Sequence, residues 1–206
     1  MKQQAAVLGV GQTEHRTRRR DVSIAGLCRE AVDRALADAG CGLADIDAVV
    51  VGKAPDLFEG VMMPELYLAD ALGAVGKPLL RVHTAGSVGG ATGNVAASLV
   101  QAGLHRRVLA VAFEKQSESN AMWALSITPP FSHQEILLRT ALGLGDGVRV
   151  NPSGGALAGN PMFAAGLARI GMAARDIFAG RADRALAHAT SGPALQQNLV
   201  CVMEAR

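Results

Sequence analysis

Apolar residues gather in short dense runs, separated by longer stretches with helical spacing. "AAVLGVG" (5–11), "IDAVVVG" (46–52), "PLLRVH" (78–83) and "RVLAVAF" (107–113) are nearly continuous in apolar residues. Such runs predict strands of a sheet covered on both faces. Between the first two, Ile24, Leu27, Cys28, Ala31, Val32, Ala35, Leu36 and Ala39 recur at i, i+3, i+4. That spacing predicts a helix from about Val22 to Ala39, ended by Gly40. "PELYLADALG" (64–73) predicts a shorter helix. Residues 87–103 predict another, with Ser87 at its start and glycines at 89, 90 and 93. An interior glycine costs a helix about 0.5–1 kcal/mol relative to Ala. The segment has no charged residue, which predicts a buried helix from Val88 to Gly103.

The pattern changes after Asn120. "AMWALSITPPF" (121–131) has no clear period. Ser132 and Glu135 form a capping-box pattern before "ILLRTALG". The loop "RVNPSGGALAGNP" (149–161) leads to Asn160 as N-cap and Pro161 as first residue of a helix running to about Gly180. "NLVCVM" (198–203) predicts a terminal strand. Strand, helix and strand in alternation predict a layered α/β fold.

Composition narrows the function classes. Half of the 206 residues are hydrophobic but only 3% are aromatic, so the core must be aliphatic and close-packed through Ala and Gly. Twenty basic and 18 acidic residues give a charge of +2, which implies no strongly charged partner. "HRTRRR" (15–20) lacks the aromatic platform of a nucleic-acid surface. It reads as a solvated loop or as a phosphate contact for a nucleotide-bearing ligand. Cys28, Cys41 and Cys201 form no CxxC and leave one unpaired, which indicates a reducing cytoplasm. "MKQQAAVLGVGQTEH" lacks the features of a signal peptide, and the uncharged stretch from Thr84 to Leu104 is too polar to span a membrane. No metal-ligand spacing is present.

Three segments resemble the thiolase superfamily, in particular its sterol-carrier or lipid-transfer branch. They are "VHTAGSVGGATGNVAASLVQAGLHRRVLAVAFEK", "VNPSGGALAGNPMFAAGLARI" and "ALAHATSGPALQQNLVCVME". In order they are similar to the nucleophile helix, the glycine loop facing the thioester, and the C-terminal active-site turn with its last strand. The resemblance implies a layered αβαβα sandwich. Relative to family chains this one is incomplete, with material absent around Ile127 to Pro130. Residues 1–127 then form an N-terminal thiolase-like half, and 128–206 the C-terminal part of the second half. The resemblance also implies an acyl-CoA or lipid ligand, with coenzyme A entering only as part of the substrate. It implies a homodimer, and a small OB-fold partner if the chain is a lipid-transfer-type aldolase.

The helix N-terminus, with its free N–H groups and partial positive charge, is where the family holds a nucleophilic Cys. Here that position is Gly86, followed by Ser87. The family's "GHP" is Gly159-Asn160-Pro161, and the turn that often holds a second Cys places Thr190 or Ser191 there. Ser87 is open to three roles: nucleophile, helix cap or hydrogen-bonding residue, and substrate-positioning group. A serine needs a base, and His83, His133 and His188 are the candidates; each also has a structural reading. Asn160 could donate to an enolate oxygen in a retro-aldol step. The tyrosine base of that subgroup could only be Tyr67, outside the matching segments. His83, Gly86, Ser153, Gly154, Gly155 and Ser191 are candidate substrate contacts. Glu114 and Lys115 read as an interface or solvated pair. The readings left are an enzyme of acyl-CoA thioesters, by retro-aldol cleavage or acetyltransferase-type acyl transfer, and a non-catalytic acyl-CoA- or lipid-binding scaffold.

Overall fold

The computed structural model describes residues 4–16, 18–54, 56, 59–115, 139–140, 143, 163–191 and 197–205. Helix α1 is Ile24–Ala39. The Ser23 hydroxyl accepts the Gly26 N–H at its start. Gly40, at φ 62°, turns the chain out while the Cys41 N–H returns to the Leu36 carbonyl. Strand β1 (Ala48–Gly52) follows, then helix α2 (Pro64–Leu68) and strand β2 (Leu79–Val82). Helix α3 (Val88–Gln101) leads to strand β3 (Val108–Ala112). Helix α4 (Ala165–Phe178) and strands β4 (Arg184–Ser191) and β5 (Gln197–Glu204) complete the described elements.

The first three strands form a parallel sheet in the order β2-β1-β3, and the last two an antiparallel hairpin. Every residue of β1 is buried, as its unbroken apolar run requires. Val49 and Val51 face Cys28, Val32 and Leu36 of α1, with Leu68 and Leu72 in the same cluster. Val50 faces the other way, onto Val88, Ala91 and Ala96 of α3. Beyond α3 and α4 lies the hairpin, with Ala187 and Ala189 turned inward and buried. The order is therefore α1 with α2, parallel sheet, α3 with α4, hairpin. These are four alternating layers, α, β, α and β. The hairpin's far face is open among the described residues, with Leu186, Val200 and Val202 52%, 50% and 57% exposed.

The glycines of α3 are explained by what touches them. A Cβ on Gly89 would lie 2.7 Å from the Phe163 carbonyl oxygen, and one on Gly90 2.9 Å from the Ala189 Cβ. One on Gly166 of α4 would strike the Gly90 amide nitrogen. The two helices therefore cross in backbone contact.

Several expectations change, beginning with the 64–73 helix, which ends at Leu68. Residues 5–11 carry no strand. Both sides of β1 are taken by β2 and β3, and the Val10 N–H and carbonyl are held by the side chains of Asp38 and Arg175 instead. The 88–103 helix is buried only in its N-terminal half, Ser98 and Gln101 being exposed, because the hairpin and α4 cover that half. Helix α4 begins with Ala164, not Asn160, as its N-cap. The Phe163 N–H, just before the helix, donates to the Glu114 carboxylate at 2.7 Å. "RALAHATS" pairs with the terminal strand along its whole length. The 127/128 boundary and the Ser132–Glu135 capping box lie outside the described residues. No helix among the described residues is long and apolar enough to cross a membrane.

Replacing Gly166 or Gly90 by Ala should cost roughly 1–3 kcal/mol or more, the range for overpacking. Gly42→Ala, where an added Cβ meets nothing closer than 3.9 Å, should be nearly neutral. Urea denaturation of the three variants checks this.

Candidate active site at the start of helix α3

The chain leaves β2 and makes one tight 3₁₀ turn, Ala85–Ser87, before α3. Thr84 precedes it at φ −137°, ψ 74°, and its hydroxyl oxygen is buried with no hydrogen-bond partner among the described residues. Ala85 sits at φ 35°, a region that a residue with a Cβ rarely adopts. Ser87 occupies the N-cap position of α3, but its hydroxyl does not cap the helix. It donates instead to the side-chain carbonyl of Gln197 at 2.6 Å, and Ser87 is fully buried. The Gly86 N–H donates to the Ser191 hydroxyl oxygen at 3.2 Å. A Cβ at position 86 would stand 3.1 Å from that oxygen. The sequence-predicted turn and the C-terminal turn region thus meet, joined by hydrogen bonds spanning 105 and 110 residues.

This geometry sorts the candidate residues. Gly86, Ser87 and Ser191 come together. Ser87 hydrogen-bonds but does not cap, because its side chain turns towards β5. The acceptor of its proton is a neutral amide oxygen, which does not activate a hydroxyl as a base would. His188 alternates with the buried Ala187 and Ala189, so it faces away from α3. Its Nε2 pairs with the Asn198 side-chain oxygen at 2.9 Å, and Arg169 donates to its carbonyl. His83 follows β2 and is exposed. His133, Ser153, Gly154, Gly155 and Asn160 lie outside the described residues. Tyr67 is on α2 and 54% exposed. Of the basic run, Arg16 pairs with Glu14, and Arg19 with Asp21 and Glu30. Among the described residues no cluster of His, Cys, Asp and Glu could hold a metal ion.

Two features escaped the sequence. Gln197 lies in "LQQN", where nothing marks it as the partner of a serine 110 residues earlier. Lys53 follows an apolar strand, where a lysine normally reaches solvent. Here it is buried, 2.7 Å from the carboxylate of the equally buried Glu59. Its ammonium lies 4.9 Å from the ring centre of Phe163 and 5.6 Å from that of Phe113. The other Glu59 oxygen accepts the Lys115 N–H at 2.8 Å. Glu114 and Lys115 are therefore not a solvated pair. Lys115 is buried, and Glu114 anchors the chain at Phe163 just before α4. Burial pushes the nearby Cys28 thiol up to about 12, helped by the Glu59 charge. A cavity of about 1680 Å³ lies elsewhere, between residues 4–16, α1 and β3, and neither Gly86, Ser87 nor Ser191 lines it.

No protein-family model matches the chain, and no curated protein does. Among solved structures it is similar to a 3-oxoacyl-[acyl-carrier-protein] synthase III from Aquifex aeolicus VF5, at 20% identity and a TM-score of 0.41. That match covers 49% of this chain and 33% of the other. It is also similar to the priming beta-ketosynthase of the R1128 polyketide biosynthetic pathway, at 29% identity and TM-score 0.39, over 47% and 29%. A third similar structure is the Ltp2-ChsH2(DUF35) aldolase, at 25% identity and TM-score 0.45, over 70% and 34%. The chain spans about a third of the length of these structures, and at these TM-scores they lend it no residue role, substrate or partner.

Glu59→Gln should leave Lys53 buried without its counter-charge and cost roughly 3–5 kcal/mol, while Lys53→Met combined with Glu59→Leu should recover much of the loss. Chemical denaturation of the three proteins measures it. Ser87→Ala should remove the hydrogen bond to the half-buried Gln197 side chain and lower stability by about 0.5–1.5 kcal/mol. A Ser87 acting only as an exposed nucleophile would show no such loss in the same assay.

Proposed function

We propose that this protein binds an acyl-CoA thioester at the turn before α3, within lipid or steroid metabolism in the cytoplasm. Coenzyme A enters as part of the substrate, with no metal or separate cofactor. The observation that carries the reading is the Gly86–Ser191 pair at the positive end of α3. The Gly86 amide points at the Ser191 hydroxyl oxygen, which stands so close that a Cβ at 86 would crowd it at 3.1 Å. A ligand carbonyl oxygen that displaces the Ser191 hydroxyl from the Gly86 N–H would accept from that amide, with the Ser191 hydroxyl swung aside to donate to it, in the field of the helix end. The buried, unpartnered Thr84 hydroxyl beside it is a further donor that the described residues leave unused.

The same site disfavours covalent acyl transfer. Gly86 has no side chain to acylate, and Ser87 is buried against an amide. The reading therefore favours binding over acetyltransferase-type chemistry. Retro-aldol cleavage of a β-hydroxyacyl-CoA beside a small OB-fold partner is the second reading, supported by the resemblance of "HTAGSVGG" followed by "NP" to lipid-transfer-type aldolases. It needs a base, for which Tyr67 is badly placed on exposed α2. His133 is the other group the proposal keeps for that role, with Asn160 as enolate donor and Ser153, Gly154 and Gly155 as thioester contacts. A homodimer belongs to the proposal.

Calorimetric titration with acetyl-CoA and a long-chain acyl-CoA should show saturable binding, weakened about fivefold in Ser191→Ala, as expected for one net hydrogen bond. Peptides covering 82–106 should keep their unmodified mass after incubation. An acyl adduct on Ser87 would revive acyl transfer, and absence of binding to either ligand would end the proposal.

A further inference from the structure

Ala85 is held in the left-handed region, at φ 35°, by something other than its own sequence. Alanine has no polar side chain with which to stabilise that conformation locally, and such residues persist only where their surroundings over-determine them. The turn itself is one 3₁₀ turn of three residues, and Ser87 makes no capping bond that would fix it from the α3 side. Locally the Ser87 hydroxyl lies 3.3 Å from the Thr84 carbonyl and the Val88 N–H donates to the Ala85 carbonyl; two further constraints come from the far end of the chain. Gln197 accepts the Ser87 hydroxyl proton at 2.6 Å, and Ser191 accepts the Gly86 N–H at 3.2 Å. Ser191 and Gln197 are direct cross-strand partners in the hairpin. Gln197 is fixed in turn, since its backbone carbonyl accepts the Thr190 hydroxyl at 3.0 Å. Ser87 is fully buried and Gln197 half-buried.

We infer that Gln197 is a positioning residue: through Ser87 it holds Ala85 in its strained conformation and so sets where the Gly86 N–H points. The register of the hairpin thereby aims an amide more than a hundred residues away in sequence. The inference rests on the proposed ligand site only in taking that amide to receive the ligand's oxygen.

Hydrogen exchange at the amides of residues 85–90 tests the clamp directly, in the full chain. Gln197→Ala should speed exchange there by about fivefold, the ratio set by one net hydrogen bond. Gln197→Glu, which keeps an acceptor, should stay close to wild type. Ala85→Gly supplies a residue at ease with positive φ. In that background the effect of Gln197→Ala should largely vanish. Equal acceleration in both backgrounds would overturn the inference. If Gln197→Ala does not fold, Gln197→Asn, an acceptor one methylene short, replaces it in the same comparison with the same expectation. Acetyl-CoA titration of these proteins gives the second readout. Binding should weaken in Gln197→Ala and return when Ala85→Gly is added, and weakening that Ala85→Gly does not restore would count against the clamp. If no protein, wild type included, binds acetyl-CoA, the proposed function fails while the exchange data still decide the clamp.

Discussion

The contact between the backbones of Gly90 and Gly166 is the constraint on which the rest of the molecule depends. Helices carrying ordinary side chains at their crossing pack 8–10 Å apart. Here an added methyl at 166 would strike the Gly90 amide, so α3 and α4 approach as closely as their main chains permit. That approach makes α3 a shared wall. On one side it covers Val50 of the parallel sheet; on the other, Gly90 meets Ala189 of the hairpin. A bulkier residue at either glycine would part the layers on both sides at once.

The same closeness builds the site. Because α3 lies flat against the hairpin, its N-terminal turn comes within hydrogen-bonding reach of Ser191 and Gln197. Two bonds from one cross-strand pair then hold a turn that its own residues would not favour. Beneath it, the C-terminal ends of β1 and β3 are tied to the start of α4 by the buried Lys53–Glu59 pair and the Glu114–Phe163 bond. A buried ion pair adds little net stability, but loss of either partner is costly. Its effect is to fix one arrangement of the chain entering α4, the helix whose Gly166 completes the crossing.

The site's chemistry follows from what meets at the turn. Two bonds meet there: the Gly86 amide donates to the Ser191 hydroxyl oxygen, and the Ser87 hydroxyl to the Gln197 side chain. Histidines 83 and 188 are elsewhere, one exposed and one on the opposite face of the hairpin.

Much of this was legible in the sequence. The unbroken apolar run at 46–52 marked the central strand, since only a strand covered on both faces can lack polar alternation. Ser23, Gly40 and the 3.6-residue period bounded α1, because caps and periodicity are local. The glycines at 89, 90 and 93 announced a close approach, and the resemblance of three segments to the thiolase superfamily indicated which turns belong together. The sequence could not say what the glycines approach, because a contact between residues 90 and 166 leaves no local trace. Nor could it show that 5–11 would lie outside the ladder, since an apolar run has the same composition whether or not a neighbouring edge is free. The roles of Ser87, Gln197 and Lys53 were decided only by tertiary structure. A hydroxyl or ammonium group takes its properties from its partner, and each of these partners is brought up by folding.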